Sequence, residues 1–380
     1  MTAEPRGKPA PPAVPWDIRR VYLDAAAASS PMARRVAETL PGVPRIVLEP
    51  GASPPELAPD ELPAKGKNVL YLKEYKGRFL RPCPGTRRYY CCGYQIVHIG
   101  ENCPMDCSYC ILKAYFRDNV LKVWANQEDQ FRALHEAFGA DRSRRFRVGT
   151  GEFTDSLALE SVTGHTRALL DFLKDYDNVV LELKSKKADL SWLDAVSRPD
   201  RVLSAWSLNA PEFSRLEEGG VSSLTQRLQA AKTCAQAGLG VCLHFDPIAH
   251  FPGWKAGYGE AVDMIFDYLK PEDVVYVSLG SFRYLPELGA RMRREGRMPG
   301  YMAGEFVTGL DGKTRLLRSL RVPQLRFIAE RLSARGLARK TYLCMESGEV
   351  WRDVFGRAPD GLGDPGGLAA HLRALAFDRG

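Results

Sequence analysis

A chain of 380 residues that is 45% apolar can bury a large core, and its length suits two or three structural units rather than one small domain. Nine cysteines are too few for a disulfide scaffold at this length, no hydrophobic leader opens the sequence, and no run of about 18 apolar residues could span a membrane. These features exclude disulfide-stapled and membrane-spanning classes and predict a soluble protein of a reducing compartment, the cytoplasm, carrying a modest net charge of +7.

In chain order, Met1–Pro15 is rich in Pro and Ala with little to bury, and predicts a disordered tail. Arg20–Asp24 (RVYLD) and Arg45–Glu49 (RIVLE) read as short strands flanking a helix over Pro31–Leu40, a small βαβ-like unit. Glu49–Pro63 is rich in Pro, Glu and Ala and reads as a connector. Lys65–Arg88 then carries eight Lys/Arg against Glu74 alone, interleaved with Tyr71, Tyr75 and Phe79.

Cys103, Cys107 and Cys110 form C-x3-C-x2-C, with Gly100, Asn102 and Pro104 breaking regular structure around them. Such a loop can fold around one object. Structural zinc wants four protein ligands, usually as paired C-x2-C units or Cys with His, and no second pair follows. Iron–sulfur cubanes also usually take four thiolates, so three leave one iron open. The remaining alternative is three unliganded buried cysteines.

Beyond this loop helices and strands alternate. Helix-like Gln127–Phe138 precedes a strand at Arg145–Val148, His165–Tyr176 precedes Val179–Leu183, and Ser191–Val196 precedes Val202–Leu208. Leu224–Ala237 precedes Gly240–Phe245, and Gly257–Leu269 precedes Val274–Leu279. With a first strand at Tyr94–Ile99 this makes six strands of a parallel α/β architecture, whose functional residues belong at the carboxyl ends of the strands. Those ends run into the Cys loop, GTGEFTD (Gly149–Asp155), LKSKK (Leu183–Lys187), SLN (Ser207–Asn209), FDPIAH (Phe245–His250) and GSFRY (Gly280–Tyr284). Each has a plainer reading as a turn, a solvated corner or a cap; together they describe an active-site rim. Arg291–Lys340 closes the pattern with thirteen Lys/Arg against four Asp/Glu, plus Tyr301, Phe306 and Phe327. Basic stretches mixed with aromatics suit a polyanion whose bases stack, or simply a solvated face.

The Cys spacing, with Tyr109 before the last thiol, resembles the radical S-adenosylmethionine (SAM) signature. Together with FTDSLALESVT, SLNAPEF, SSLTQRLQAAKTCAQAGLGV and DPIAHFPGWKAGY, it makes the chain resemble the spore photoproduct lyases, radical SAM enzymes that reverse a UV-induced thymine dimer in DNA. The resemblance covers nearly the whole chain, from RVYLD through GRFLRPCPG to KTYLCMES. It implies a partial (β/α)6 TIM-type barrel over residues 89–285, after a tail (1–15) and an N-terminal α/β unit with basic connector (16–88), and before a basic C-terminal region (286–380). Cys103, Cys107 and Cys110 would ligate a 4Fe-4S cluster, whose open iron chelates SAM. Cleavage to a 5′-deoxyadenosyl radical would then start hydrogen abstraction from a damaged or modified thymine. Tyr109 would lie near the adenine, Lys184 and Ser207 would contact SAM with Asn209 close by, and Arg283, with Tyr284 beside it, would meet the substrate. DNA rather than RNA, and an electron donor such as flavodoxin or ferredoxin, are the implied partners.

Two positions depart from the family pattern. The lyases carry a hydrogen-donating Cys just after the second strand, where this chain has Glu152, and a Tyr after the third cluster Cys, where it has Ile111. A carboxylate cannot donate a hydrogen atom as a thiol does. Glu152 instead makes GTGE resemble the strand exit by which other radical SAM enzymes hold the SAM amino group, which points to a lyase-like paralogue. Cys344, in YLCMES, and Cys83, Cys91 and Cys92 are the thiols that could replace the donor, whereas Cys234 and Cys242 read as core. The competing reading is a cluster-containing DNA-binding or redox-sensing protein without turnover.

Overall fold

The computed structural model describes residues 16–57, 67–85, 89–294, 296, 298–309, 311–359 and 367–379. The expected tail, the end of the Glu49–Pro63 connector and parts of the Lys65–Arg88 stretch lie outside the described residues.

Strand β1 (Arg20–Asp24) leads through the helix Pro31–Thr39 to β2 (Arg45–Leu48), parallel to it, so the expected βαβ-like unit forms. The helix starts where the Ser30 hydroxyl accepts the Ala33 N–H at 3.1 Å, with Pro31 needing no donor at the first position. Strand β3 (Val69–Lys73) joins the other side of β1, and β4 (Leu80–Pro82) pairs antiparallel with β5 (Gln95–Val97). The Cys loop carries β6 (Gly100–Glu101) and β7 (Asp106–Cys107), and β8 (Leu121–Trp124) follows. One sheet therefore runs β2-β1-β3-β8-β6. The chain beyond residue 89 thus completes the N-terminal sheet, while β4 from before it edges the next one.

That next sheet contains β9 (Phe146–Gly149), β10 (Val179–Ser185), β11 (Val202–Ser207), β13 (Gly240–Ile248), β14 (Val274–Ser281) and β18 (Thr341–Leu343); the short β12 (Glu218–Gly219) pairs elsewhere. Its order is β18-β14-β13-β11-β10-β9-β5-β4, parallel throughout except at β4–β5. This is the curled half-barrel sheet that the resemblance implied. Runs such as VVLEL and VVYVSL are buried on both faces because helices cover the outside. Among the expected crossover helices Ser191–Val196 fails. Only a single 3-10 turn, Leu193–Ala195, forms there, because the segment is too short to propagate a helix and Trp192 is anchored at 0% exposure by donating to the Asp189 carbonyl at 2.9 Å.

The two-residue side-chain period puts Glu182 and Lys184 of β10, and His244 and Asp246 of β13, on the same inner face. Below the opening Glu182 is buried; burial opposes its charge, yet His244 at 2.9 Å, Arg147 at 3.4 Å and the Tyr276 hydroxyl hold it down to about 2. Gly149 is required by close approach, since a Cβ there would sit 2.5 Å from the Glu182 carbonyl and still nearer the Tyr94 hydroxyl. After β14 the chain forms β15 (Arg283–Tyr284), β16 (Phe306–Thr308) and β17 (Thr314–Leu316), a small sheet ordered β15-β17-β16, before β18 returns to the barrel.

Candidate functional site

The carboxyl ends of the barrel strands open into one cavity of about 240 Å³. Cys103, Cys107, Cys110, Tyr109, Glu152, Lys184, Ser207 and Arg283 all line it. Sequence positions 180 residues apart are thus brought together.

At the inner end the Cys loop is held from several sides. Asn102 takes the left-handed conformation at φ 67° and donates to the carbonyls of Asp118 and Val120 at 3.1 and 2.9 Å. β7 pairs antiparallel with β12, Cys107 opposite Glu218, and Lys67 donates to the Met105 carbonyl at 2.7 Å. Burial pushes the Cys107 thiol up to about 12 and Cys103 higher still, with Cys110 adding to both shifts, and all three cysteines line the one cavity. Among the described residues no three His, Cys, Asp or Glu side chains converge as closely as one metal ion requires. Three thiols around one cavity, each able to take a different corner, suit a polynuclear cluster, with Lys67 and Lys186 near to balance thiolate charge.

Behind the loop sits Glu218, whose side chain is fully buried. It accepts from the Tyr109 hydroxyl, from Ser214 Oγ at 2.7 Å, Arg227 Nη2 at 2.9 Å, Lys186 Nζ at 3.1 Å and Asn209 Nδ2 at 3.5 Å. Burial penalises its charge, yet Lys186, Arg227 and the hydroxyl donors hold it well below the usual carboxylate range. Arg227 in turn donates to the carbonyls of Ser207 and Ser222, so one buried pair fixes both Tyr109 and the end of β11. Asp155 does the same for the neighbouring exit, accepting from the backbone of Leu157, Ala158 and Lys186 and from Ser185 Oγ.

In the middle, the Glu152 carboxylate pairs with the Lys184 ammonium. Burial opposes the lysine's charge, but Glu152 holds it above the ordinary lysine value. At the outer end Asp246 pairs with Arg283 at 3.2 Å, and Gly280 leaves room for that carboxylate, since a Cβ there would lie 2.7 Å from it. Arg283 also approaches Cys344 Sγ at 3.9 Å. Burial pushes the Cys344 thiol up to about 12, so it stays protonated despite the guanidinium. Cys83 lies near enough to Glu152, Cys92 and Cys344 for each to add to the upward shift that its burial begins.

Three of the expected site residues, Asn209, Tyr284 and Cys344, do not line the cavity. Asn209 is 0% exposed and committed to the Pro247 carbonyl, the Ala210 N–H and the Tyr258 hydroxyl. Tyr284 stacks on Phe282 at 5.3 Å, and it is Phe282 that lines the cavity. Cys344 stands beside the wall, behind Arg283. Cys91 is exposed, and Cys234 and Cys242 are 0% exposed, as expected of core. Sequence reading missed Glu218, Arg227, Lys186, Asp246 and Lys313. Asp246 stood in the FDPIAH exit and Lys186 in the LKSKK exit, and both could have been singled out as charged groups at strand ends; Glu218, Arg227 and Lys313 carry no spacing signal.

This α/β half-barrel is a fold that solved structures of spore photoproduct lyase share. A variant of that enzyme with one cysteine replaced by alanine matches with a TM-score of 0.73 at 18% identity, over 87% of this chain and 98% of the other. A second variant, with bound AdoMet and dinucleoside spore photoproduct, matches at 0.70 and 17% identity over the same shares. The sequence model described as spore photoproduct lyase matches residues 91–285, just over half of the chain. The chain belongs to the spore photoproduct lyase family. It is 22% identical over 214 residues to the spore photoproduct lyase of Clostridium acetobutylicum, and 22% identical over 179 residues to that of a Geobacillus species. It spans 62% and 52% of the lengths of these two curated relatives. Among the described residues no helix is long and apolar enough to cross a membrane.

Proposed function

We propose that this chain is a radical SAM enzyme that acts on a damaged or modified thymine in DNA, as a paralogue of the spore photoproduct lyases rather than a faithful copy. One observation carries the reading: three thiols, the Glu152–Lys184 pair and Ser207 share a single cavity that continues to Arg283. Cys103, Cys107 and Cys110 would hold a 4Fe-4S cluster. When bound, that cluster supplies the single electron that splits SAM into methionine and a 5′-deoxyadenosyl radical. Glu152 offers a charge-assisted acceptor to the SAM amino group, Lys184 a cation to its carboxylate, and Ser207 a hydroxyl to the ribose. Tyr109, tethered by Glu218, is a flat surface for the adenine, and Asn209 acts from behind the wall as a positioning residue. Arg283 faces the substrate, with Tyr284 supporting Phe282. The hydrogen-donor role falls to Cys344, whose raised pKa keeps the S–H bond that a donor needs. An electron donor such as flavodoxin or ferredoxin and a cytoplasmic setting belong to the same reading.

The test is anaerobic reconstitution with SAM, a reductant and UV-irradiated DNA, scoring 5′-deoxyadenosine and free thymine pairs separately. A paralogue forms deoxyadenosine with little clean repair. Rapid conversion of spore photoproduct to two thymines would overturn the divergence, and DNA binding with no deoxyadenosine would favour the sensor without turnover.

A further inference from the structure

Four Lys or Arg side chains line the cavity: Lys184, Lys186, Arg283 and Lys313. Three of them already have a carboxylate. Lys184 is paired with Glu152, Lys186 with Glu218 at 3.1 Å and Arg283 with Asp246 at 3.2 Å. Lys313 alone has no ion-pair partner among the described residues, although it is only 8% exposed. Its ammonium meets the Met345 thioether at 3.7 Å, a weak acceptor that leaves the charge unbalanced. The nearest carboxylate on its own hairpin is spent, because Asp311 holds Arg315 through both oxygens. Burial lowers the Lys313 pKa and Arg283 and Arg315 lower it further, with Asp311 and Cys83 opposing.

Leaving one buried cation without a counter-charge costs folding free energy, and such a group persists where a ligand completes it. Met345 strengthens the case. It is one of two described non-glycine residues with positive φ, at 54°, and it lines the same end of the cavity. Lys313 directly precedes β17, whose Thr314 and Arg315 pair with Tyr284 and Arg283 of β15, so it sits beside Arg283 at the outer end, while the Cys loop holds the inner end. Lys313 therefore stands away from the thiols, on the side where a second ligand would enter.

We propose that Lys313 is the seat for an anionic group of the substrate, a phosphodiester next to the reacting base. This rests on the reading of the cavity as the substrate site and adds that the substrate is recognised with its backbone phosphate, not as a free base or nucleoside.

Two probes test it on reconstituted, SAM-loaded protein: dithymidine spore photoproduct joined by its phosphodiester, and the same compound joined by a neutral methylphosphonate. Calorimetric Kd values should favour the charged probe about tenfold in the wild type, the loss expected when a charged hydrogen bond is removed. Lys313→Met and Lys313→Gln should erase that preference, Lys313→Arg should keep much of it, and SAM affinity should stay within about twofold in all three. Equal binding of both probes by the wild type, or a preference that survives in Lys313→Met and Lys313→Gln, would overturn the assignment while leaving the cavity reading intact. Loss of SAM affinity in those variants would assign Lys313 to the SAM carboxylate instead. Failure of the wild type to bind either probe would overturn the cavity reading and the Lys313 assignment together.

Discussion

The two ends of the cavity are built on opposite electrostatic principles. At the inner end every buried charge is answered: Glu218 gathers five donors, and Arg227 and Lys186 are each paired with it. At the outer end Arg283 is shared between Asp246 and the Ser281 carbonyl, Lys313 is left to a thioether, and Met345 is held at positive φ. A closed network fixes one geometry before any ligand arrives, as a cofactor site needs. An unbalanced end stores a preference for whatever balances it.

The largest effect should come from the thiols. Replacing Cys103, Cys107 or Cys110 by Ala should abolish the reconstituted chromophore, whereas Cys234→Ala, in the core, should leave it; equal loss in the Cys234 variant would point to another ligand set. Next, Glu218→Ala strands Arg227 at 0% exposure without its carboxylate and should cost about 3–5 kcal/mol of unfolding free energy. Asp246→Ala, at the looser end, should cost markedly less by the same urea titration. Similar losses at both positions would erase the contrast between the ends.

In the middle, Glu152→Gln should weaken SAM binding about tenfold with the cluster content unchanged, because a charge-assisted hydrogen bond becomes a neutral one. Glu152→Cys returns a thiol to the position where the family has its donor, and should raise the yield of clean thymine over the wild type. If Cys344 is the donor used instead, Cys344→Ala should leave deoxyadenosine formation in place while increasing by-products of an unquenched substrate radical.

A smaller effect concerns pH. Burial holds His98 down to about 3 and His165 down to about 4, against 6.5 in the unfolded chain. Their neutral rings therefore contribute stability that is complete above pH 6.5 and is lost as pH falls toward those values. Glu160, raised by burial to about 7, contributes in the opposite sense and offsets one of the two. Between about pH 6 and 4.5 the net loss should be about 1.4 kcal/mol per pH unit, and His165→Gln should flatten it in urea titrations.

Much of this was legible from the chain, and what was not has a physical cause. The Cys triad and the strand exits follow from spacing and alternation, both local, and all six expected strands appear within a few residues of their predicted bounds. Pairing is not local. The basic run Arg291–Lys340 reads as a polyanion face by composition, yet Arg315 is bound to Asp311, Arg321 to Glu346, Arg318 to Glu349 and Asp353, and Arg331 to Asp263. Lys184 and Lys186, which could pass for a solvated corner, point inward to carboxylates 32 residues away in opposite directions. Lys313 was invisible for the converse reason: its importance lies in the partner it lacks. DNA binding should accordingly fall only gently with salt, each phosphate contact adding roughly 0.9 to the log–log slope. A steep dependence would return the basic stretch to the interface.

The most direct test of the central claim, that thiols and SAM-binding groups serve one cavity, is the electron paramagnetic resonance spectrum of the reduced, reconstituted protein with and without SAM. The cluster signal should shift on adding SAM, and Glu152→Gln should need about tenfold more SAM for the same shift. A cluster signal that SAM leaves unchanged in the wild type would contradict the account.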